Sequence, residues 1–305
     1  MKKILTVALI LITATCFAQK VTVALNLTQG NTYYMNTSAK MFISETINGQ
    51  QQDINTTITG KMSFKVTQVT DTAYVMEVKM DRIGMQMQGA GQNMDFDSDK
   101  KGQQDIMSTI MGNLTNKAFS IVMTRKGKVS SVNGMDNLYS GLFDGVPNVP
   151  DDQKTQIKNQ MMQSFGAKAL KGNIELGTAL FPDNKVAKND QWIVNTKLES
   201  MMTANVKATF ILQDISDNAY LIHGYATLAT DTNSPYAELN GMPMKYNMSG
   251  TSTYEIKLDK VTGWTTDAKI SQIMQGTIDI KDNPKVPGGM SIPMSLKDDQ
   301  TITDK

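Results

Sequence analysis

The stretch Leu27-Thr28-Gln29-Gly30-Asn31-Thr32-Tyr33-Tyr34-Met35-Asn36-Thr37 decides the fold, because the chain contains it twice. It aligns without a gap with Val186-Ala187-Lys188-Asn189-Asp190-Gln191-Trp192-Ile193-Val194-Asn195-Thr196. Two further pairs keep the same order: residues 69–76 match 215–222, and residues 119–123 match 254–258. The sequence therefore predicts one β-rich unit that is duplicated along the chain.

Each copy has the period-2 pattern of β-strands with one buried face. Tyr33 and Phe64 lie at apolar positions of successive segments in the first copy, and Trp192 and Phe210 take the equivalent positions in the second. A slip of one residue would turn every side chain of a strand to the opposite face. The agreement therefore predicts an antiparallel meander in each copy, with the same face buried.

Local signals add a turn and an opening strand. Asn48-Gly49 is the preferred pair for a two-residue hairpin turn, in which both central residues need positive φ. Lys20 to Leu27 alternates apolar and polar residues and predicts a first strand that opens the sheet.

Three segments predict helices. Gln103 to Leu114 and Met135 to Phe143 have short runs of helical spacing, and a longer helix begins at Pro150-Asp151 and runs to Lys171. Gly172 stands where a C-terminal cap is expected. We expect this longer helix to join the two copies and to lie on the apolar face of the sheet.

These patterns together predict an α+β fold: long antiparallel curved β-sheet, formed by an internal duplication, with amphipathic helices packed on its apolar face. One continuous sheet and two related sheets both fit the pattern. The predicted segments are a signal peptide (1–18), a first β-rich repeat with short helices (19–149), a linking helix and connector (150–185), a second β-rich repeat (186–282) and a C-terminal tail (283–305). Within the tail, Ser291 to Ile302 predict one last strand.

The N-terminus has the three parts of a secretory signal peptide. Lys2 and Lys3 are basic, residues 4–12 are apolar, and Cys16-Phe17-Ala18 fits a cleavage site before Gln19. We expect an exported protein, periplasmic or secreted, with no transmembrane segment after cleavage. Lipid attachment at Cys16 is an alternative, although Thr15 is larger than the residue expected there.

Composition excludes several classes of function. The net charge of +1 and the scattered basic residues argue against nucleic-acid binding. Cys16 is the only cysteine and His223 the only histidine, so a mature chain cannot form a Cys/His or Ser/His/Asp catalytic set or a multi-histidine metal site. We predict that the protein is not an enzyme and needs no cofactor, and that His223 is a surface residue.

Two groups of residues could bind a metal. Asp95, Asp97 and Asp99 resemble the start of a calcium loop, but glycine comes two places late and the twelfth residue is not glutamate. The chain has 23 methionines, and the closely spaced Met85 and Met87 are the best candidates for Cu(I). A solvated acidic loop and an adaptable apolar surface are the favoured interpretations of these groups.

Several motifs together resemble a family of uncharacterised exported Bacteroidota proteins, known as domain of unknown function, family 6263. The motifs that carry the resemblance are Gly30-Asn31-Thr32-Tyr33, Tyr74 with its alternating strand, Asp95-Phe96-Asp97-Ser98-Asp99, Gly127-Lys128-Val129, Pro150-Asp151-Asp152-Gln153-Lys154, Phe181-Pro182 and Asp190-Gln191-Trp192. The resemblance implies a Gram-negative envelope or secreted setting, and it implies no activity.

The function predicted from these observations is a non-enzymatic binding or carrier protein of the envelope. Its ligand would be an apolar small molecule or lipid held between sheet and helices, with a pocket lined by Ile110, Ile157, Met161, Phe165, Phe64 and Phe210. The alternative is a structural module with a fully packed core that binds an envelope protein partner through its outer strand faces. A copper-binding protein is the third possibility.

Overall fold

The computed structural model describes residues 20–100, 102, 105–199, 202–231, 233–239 and 241–305. The predicted signal peptide and Cys16 lie outside these residues. The strands are β1 (Thr32–Ile47), β2 (Gln50–Val69), β3 (Ala73–Gly89), β4 (Gln92–Asp97), β5 (Ala118–Thr124), β6 (Val129–Asn133), β7 (Gln191–Glu199), β8 (Thr203–Ile215), β9 (Ala219–Thr230), β10 (Ala237–Leu239), β11 (Met242–Asp259), β12 (Thr265–Ile280) and β13 (Met290–Thr303). The α-helices are α1 (Ile106–Leu114), α2 (Met135–Tyr139), α3 (Asp151–Phe165) and α4 (Ala167–Thr178).

The strands form one continuous antiparallel sheet, which answers the question of one sheet or two. Their order is β6-β5-β3-β2-β1-β13-β12-β11-β9-β8-β7, with β4 beside β3 and β10 beside β11. The order β6-β5-β3-β2-β1 in the first copy corresponds to β12-β11-β9-β8-β7 in the second. The two copies therefore have the same strand order, and β13 lies between them.

Backbone details repeat with the strand order. Gly30 donates its N–H to the carbonyl of Val66 at 2.8 Å, and the equivalent Asn189 donates to the carbonyl of Leu212 at 2.7 Å. Both donors have positive φ, 88° and 72°. A β-bulge follows directly after Val66 in the pairing with β3, and another follows after Leu212 in the pairing with β9. Turns, hydrogen bonds and irregularities thus occur at matching places in both copies.

The predicted buried face is also shared. Tyr33 lies opposite Phe64 on the neighbouring strand, and Trp192 lies opposite Phe210 in the same relation. The predicted hairpin turn is present as well, with φ of 51° at Asn48 and 79° at Gly49.

The sheet curls until its two edges approach each other. Helix α4 packs against both edge strands, β6 and β7, and also against β12. The Lys128 ammonium beside β6 donates to the Asn195 carbonyl of β7 at 3.3 Å. Gly177 lets α4 approach closely, since an added Cβ there would meet Met35 of β1 at 3.0 Å and Ile302 of β13 at 3.1 Å. The helices therefore lie on the concave face, as predicted, and they cover one end of it.

Three segments differ from the sequence-based expectations. Residues 20–27 do not form an opening strand: Val21 makes one isolated bridge to Val186, and Leu25 donates to the Arg125 carbonyl in a loop. The alternation is nevertheless reflected in burial, since Val23, Leu25 and Leu27 are buried. The segment crosses the end of the sheet, so its backbone bonds go to loops instead of a strand ladder.

The predicted long linking helix is two helices. It breaks at Gly166, where the backbone is extended (φ −72°, ψ 169°) and an added Cβ would lie 2.1 Å from the Met162 carbonyl oxygen. Gly172, predicted to be the cap, lies inside α4 and is buried. Glycine at 166 therefore allows the chain to turn from α3 into α4.

The strand predicted at the end of segment 283–305 is present as β13, but the segment is not a peripheral tail. Its last strand, β13, pairs along its length with β1 on one side and β12 on the other. It connects the two copies into one sheet and so occupies the centre of the fold.

Tyr74 fixes the crossing segment 20–27 to the sheet. Its buried hydroxyl donates to the Leu25 carbonyl at 2.8 Å and accepts from the Leu27 N–H at 3.2 Å and from the Arg125 guanidinium at 2.8 Å. The equivalent Tyr220 is also buried, but its hydroxyl bonds to none of the described residues.

We predict that Tyr74→Phe lowers the free energy of unfolding by about 1–3 kcal/mol, because it leaves buried backbone groups unpaired. Tyr220→Phe is the matched control and should change it by less than about 0.5 kcal/mol. Urea denaturation of the three proteins measures the difference. Equal losses in both variants would contradict the assigned role of Tyr74.

Candidate functional site

The concave face has an open part beyond the helices. Apolar side chains there continue the buried face of β3, β2, β1 and β13, but they are only partly buried. We call this surface the open groove. Its apolar residues are Met85, Met87, Ile58, Ile54, Met41, Ile43, Leu296 and Met294. A partly exposed apolar surface inside a curved sheet is suited to contact with an apolar molecule.

The open groove is bounded at both ends by packed residues. Towards the helices it meets the main core, which includes Met35 and Phe64. Towards the strand ends it meets a second small core of Ile278, Ile280 and Ile292. The groove therefore lies between two clusters on the same face of the sheet. Its residues Met85 and Leu296 pack along the edge of the main core, and Met294 packs against both clusters.

A row of mostly polar residues crosses the concave face at the level of Met41, within the groove. Asp298 of β13 lies opposite Met41 of β1 and Gln272 of β12. Met41 in turn lies opposite Thr56 of β2, which is buried. Ser252 of β11 donates its hydroxyl to the Gln272 side-chain carbonyl at 3.2 Å.

Asp298 is the unusual member of this row. Two buried side-chain polar atoms in the described residues lack a hydrogen-bond partner, the Tyr139 hydroxyl and the Asp298 Oδ1. Burial raises the pKa of Asp298 to about 6, and the neighbouring charge of Asp299 adds to the effect. A buried carboxylate oxygen without a donor lowers the stability of the folded protein. Carboxylates with a pKa shifted by burial are common at binding and catalytic sites.

The charged residues at the described inward strand positions have the same sign. At the described strand positions that face inward, the charged residues are Glu45 and Asp298, and both are acidic. Lysine and arginine side chains of the strands alternate to the outer face, as Lys40 and Lys297 do beside these positions. The groove therefore offers apolar contact together with negative charge.

The residues predicted to line a pocket do not come together around an open space. Phe64 and Ile110 have no exposed surface and belong to the packed core, as does Phe210 at 4% exposure. A side chain that lined an empty ligand cavity would keep accessible surface. Their assignment as pocket lining is therefore corrected: Phe64 packs against Trp264 with ring centroids 5.4 Å apart.

The helical pocket residues lie closer to solvent. Met161 is buried at 7% exposure, and Ile157 and Phe165 are partly buried against the main core. They belong to α3, whose Gln163 side chain donates to the Glu238 carbonyl of β10 at 3.4 Å. Their contact with a ligand stays a prediction.

The acidic residues 95–99 form ion pairs with neighbouring cations. Arg82 contacts the Asp97 carboxylate at 2.6 Å and Asp99 at 3.2 Å, and Lys100 lies 3.7 Å from Asp95. The hydrogen bond from Arg82 lowers the pKa of Asp97. Among the described residues, no group of three or more His, Cys, Asp or Glu side chains is arranged to hold a metal ion.

Met85 and Met87 lie on the concave side of β3, on the same face as Ile58 of β2. A β-bulge at residues 81–82 changes the alternation, so that Met80 and Ile83 both face inward and the odd-numbered residues follow. The two methionines are thus part of the open groove. Their use as Cu(I) ligands stays a prediction.

His223 is exposed on the outer face of β9, at the position expected from the sequence.

A separate surface hollow of about 340 Å³ lies near the start of β7 and is lined by residues 182–186 and 190–193. Its rim includes Asp183, which pairs with Lys126. This hollow is shallow and polar, so it is a weaker candidate than the groove.

Residues 71–265 match a family described as a family of unknown function (DUF6263). The chain belongs to this family. The matched region runs from the turn before β3 to the start of β12. It therefore includes the later strands of the first copy, the linking helices and most of the second copy, but neither β1 nor β2. No curated protein matches the sequence.

Solved structures show a related fold. A structure described as "lipid-protein interactions in lipovitellin" is similar with a TM-score of 0.50 and 9% identity, over 92% of this chain and 25% of that one. This chain therefore spans about a quarter of the length of lipovitellin, and at this identity the likeness concerns the fold alone. An outer membrane channel from Pseudomonas putida F1 also matches, with a TM-score of 0.27 and 6% identity over 92% of this chain and 97% of the channel. A TM-score this low does not establish a common fold.

Every helix in the described part of the chain is too short or too polar to cross a bilayer.

Sequence reasoning missed Asp298. The signal was present, since Ile292, Met294, Leu296 and Ile302 alternate along β13 and Asp298 takes an inward place in that series. The sequence predicts this strand but does not show that it pairs with β1 and β12, so it does not indicate that Asp298 lies inside the sheet.

The pKa of Asp298 gives a prediction about stability. The folded state raises this pKa from 3.8 to about 6, so the unfolded chain loses the proton first as pH rises, and stability falls between about pH 4 and pH 6. We predict that Asp298→Asn raises the free energy of unfolding at pH 7.5 by about 1–2 kcal/mol, after allowance for partial solvent screening. At pH 4 the gain should be smaller.

Asp299→Asn is the control: Asp299 lies on the outer face and accepts from Ser271 at 2.7 Å. This variant removes the like charge near Asp298 but leaves the burial of Asp298 unchanged, so its gain in stability at pH 7.5 should be smaller than that of Asp298→Asn. Urea denaturation at both pH values tests the prediction. A loss of stability in Asp298→Asn at pH 7.5, or an equal gain at both pH values, would contradict it.

Proposed function

We propose that this protein is an exported, non-enzymatic binding or carrier protein that holds an apolar ligand in the open groove. The observation that carries the proposal is the continuation of one apolar face past the helices. The apolar face is buried near both ends of these strands, so the residues between the two ends would be expected to be buried as well. Ile43, Ile54 and Leu296 are instead partly exposed, which leaves room for another apolar molecule.

The composition of the groove supports an adaptable binding surface. Four of its eight apolar residues are methionines, whose flexible and polarizable side chains adjust to ligands of different shape. They are Met41, Met85, Met87 and Met294. Lipovitellin, which shares the fold, is described in terms of interactions with lipid.

The proposed site differs from the one predicted by sequence. The sequence placed the ligand between helices and sheet, whereas that region contains the packed core of Phe64 and Ile110. The open groove lies further along the same strands. Export rests on the N-terminal signal pattern and on the envelope setting implied by the sequence resemblance.

A partner-binding role is the second candidate, and a small outer-face patch favours it. Phe42 of β1 and Ile273 of β12 are 41% and 57% exposed, and both lie beside Lys297 of β13. Cross-linking in the envelope, with Phe42→Ser and Ile273→Ser as variants, would detect a partner that depends on this patch.

Binding in the groove can be tested with the neutral fluorescent probe 1-N-phenylnaphthylamine. We predict that Leu296→Glu weakens probe binding at least about tenfold, because a charge on the groove wall must lose its hydration when an apolar molecule covers it. Phe42→Glu is the matched control, since it adds the same charge to the outer face, and it should bind as the wild type does.

Native mass spectrometry of the protein purified from its own envelope would identify a retained ligand. The proposal would be overturned if the wild-type protein neither retained an apolar ligand nor bound the probe. It would also be overturned if both variants bound the probe with unchanged affinity.

A further inference from the structure

We propose that Asp298 recognises the polar end of the ligand, and that this end is a hydrogen-bond donor, with a protonated amine preferred over a hydroxyl and over any carboxylate or phosphate. This inference rests on the proposed function and specifies the class of ligand: a single-chain amphiphile with a cationic or donor head.

The position of Asp298 is the first support. The two groove residues before it on the same face of β13 are Leu296 and Met294, and Ile43 lies opposite Leu296 on β1. Strand residues rise by about 3.3 Å each, so an apolar chain that starts at Asp298 can run along β13 over these side chains. The carboxylate therefore stands at the end of an apolar track.

The state of the carboxylate is the second support. Its Oδ1 is buried and has no donor among the described residues, while the side chain as a whole is partly exposed to the groove. Gln272 lies directly opposite on β12, but its side-chain amide does not donate to this oxygen, and its carbonyl accepts from Ser252. A donor supplied by a ligand would satisfy an oxygen that the protein leaves unpaired.

The charge of the surroundings is the third support. The inward-facing strand positions that the structure describes contain Glu45 and Asp298 as charged residues and neither lysine nor arginine. An anionic head would meet negative charge and no compensating cation at these positions. A protonated amine would meet a carboxylate in a partly dry site, where charge-assisted hydrogen bonds are strongest.

Three probes of equal chain length distinguish these heads: dodecylamine, dodecanol and dodecanoate, each used below its aggregation concentration to displace 1-N-phenylnaphthylamine at pH 7.5. We expect the amine to displace the probe at a concentration about tenfold or more below that of dodecanoate, with the alcohol between them. In Asp298→Asn the preference for the amine should fall to about threefold or less. Asp299→Asn should keep the wild-type order.

The outcomes separate the two proposals. If 1-N-phenylnaphthylamine binds to the wild type and the three amphiphiles displace it equally, the role of Asp298 is overturned while the groove stands. The same conclusion follows if Asp298→Asn keeps the full preference for the amine. If neither the probe nor any amphiphile binds, the carrier function fails, and the role of Asp298 fails with it.

Discussion

The strands of this protein are much longer than the helices that cover them. Strand β2 has 20 residues and β1 has 16, whereas α4 has 12 and α1 has 9. At about 3.3 Å per strand residue and 1.5 Å per helix residue, β2 spans roughly 65 Å and α4 only about 18 Å. One apolar face therefore has a packed part under the helices and a part that they do not reach. The open groove is a direct consequence of this mismatch.

The duplication explains why the sheet can be so large. Each copy contributes five strands in the same order, and a bulge occurs at the matching place in each copy, after Val66 and after Leu212. Two such units still need a connection, because β1 and β12 are not neighbours. Strand β13 supplies it, and its inward residues include both Leu296 and Asp298. The strand that unites the copies thus also carries the buried carboxylate of Asp298.

The parts of the fold that depend on local pattern could be predicted from sequence. The duplication, the buried face at Tyr33 and Trp192, and the turn at Asn48-Gly49 each arise from neighbouring residues and a period of two. The place of β13 could not be predicted in this way, because strand pairing between residues 36–45 and 294–303 is a long-range choice. The break at Gly166 was missed because the helical spacing of apolar residues continues on both sides of it. The pocket was placed too near the helices, since sequence alone does not show how closely Phe64 and Ile110 pack.

The central claim, that an apolar ligand occupies the open groove, can be tested residue by residue with the methionine methyl groups. In a protein labelled with ¹³C at these methyl groups, addition of an apolar ligand should shift the NMR signals of Met41, Met85 and Met294, which lie in the groove. The signals of Met76 and Met123, which are fully buried in the core, and of Met162, which is 49% exposed on α3, should stay in place. Shifts confined to Met162, or no shifts at all at saturating ligand, would contradict the account.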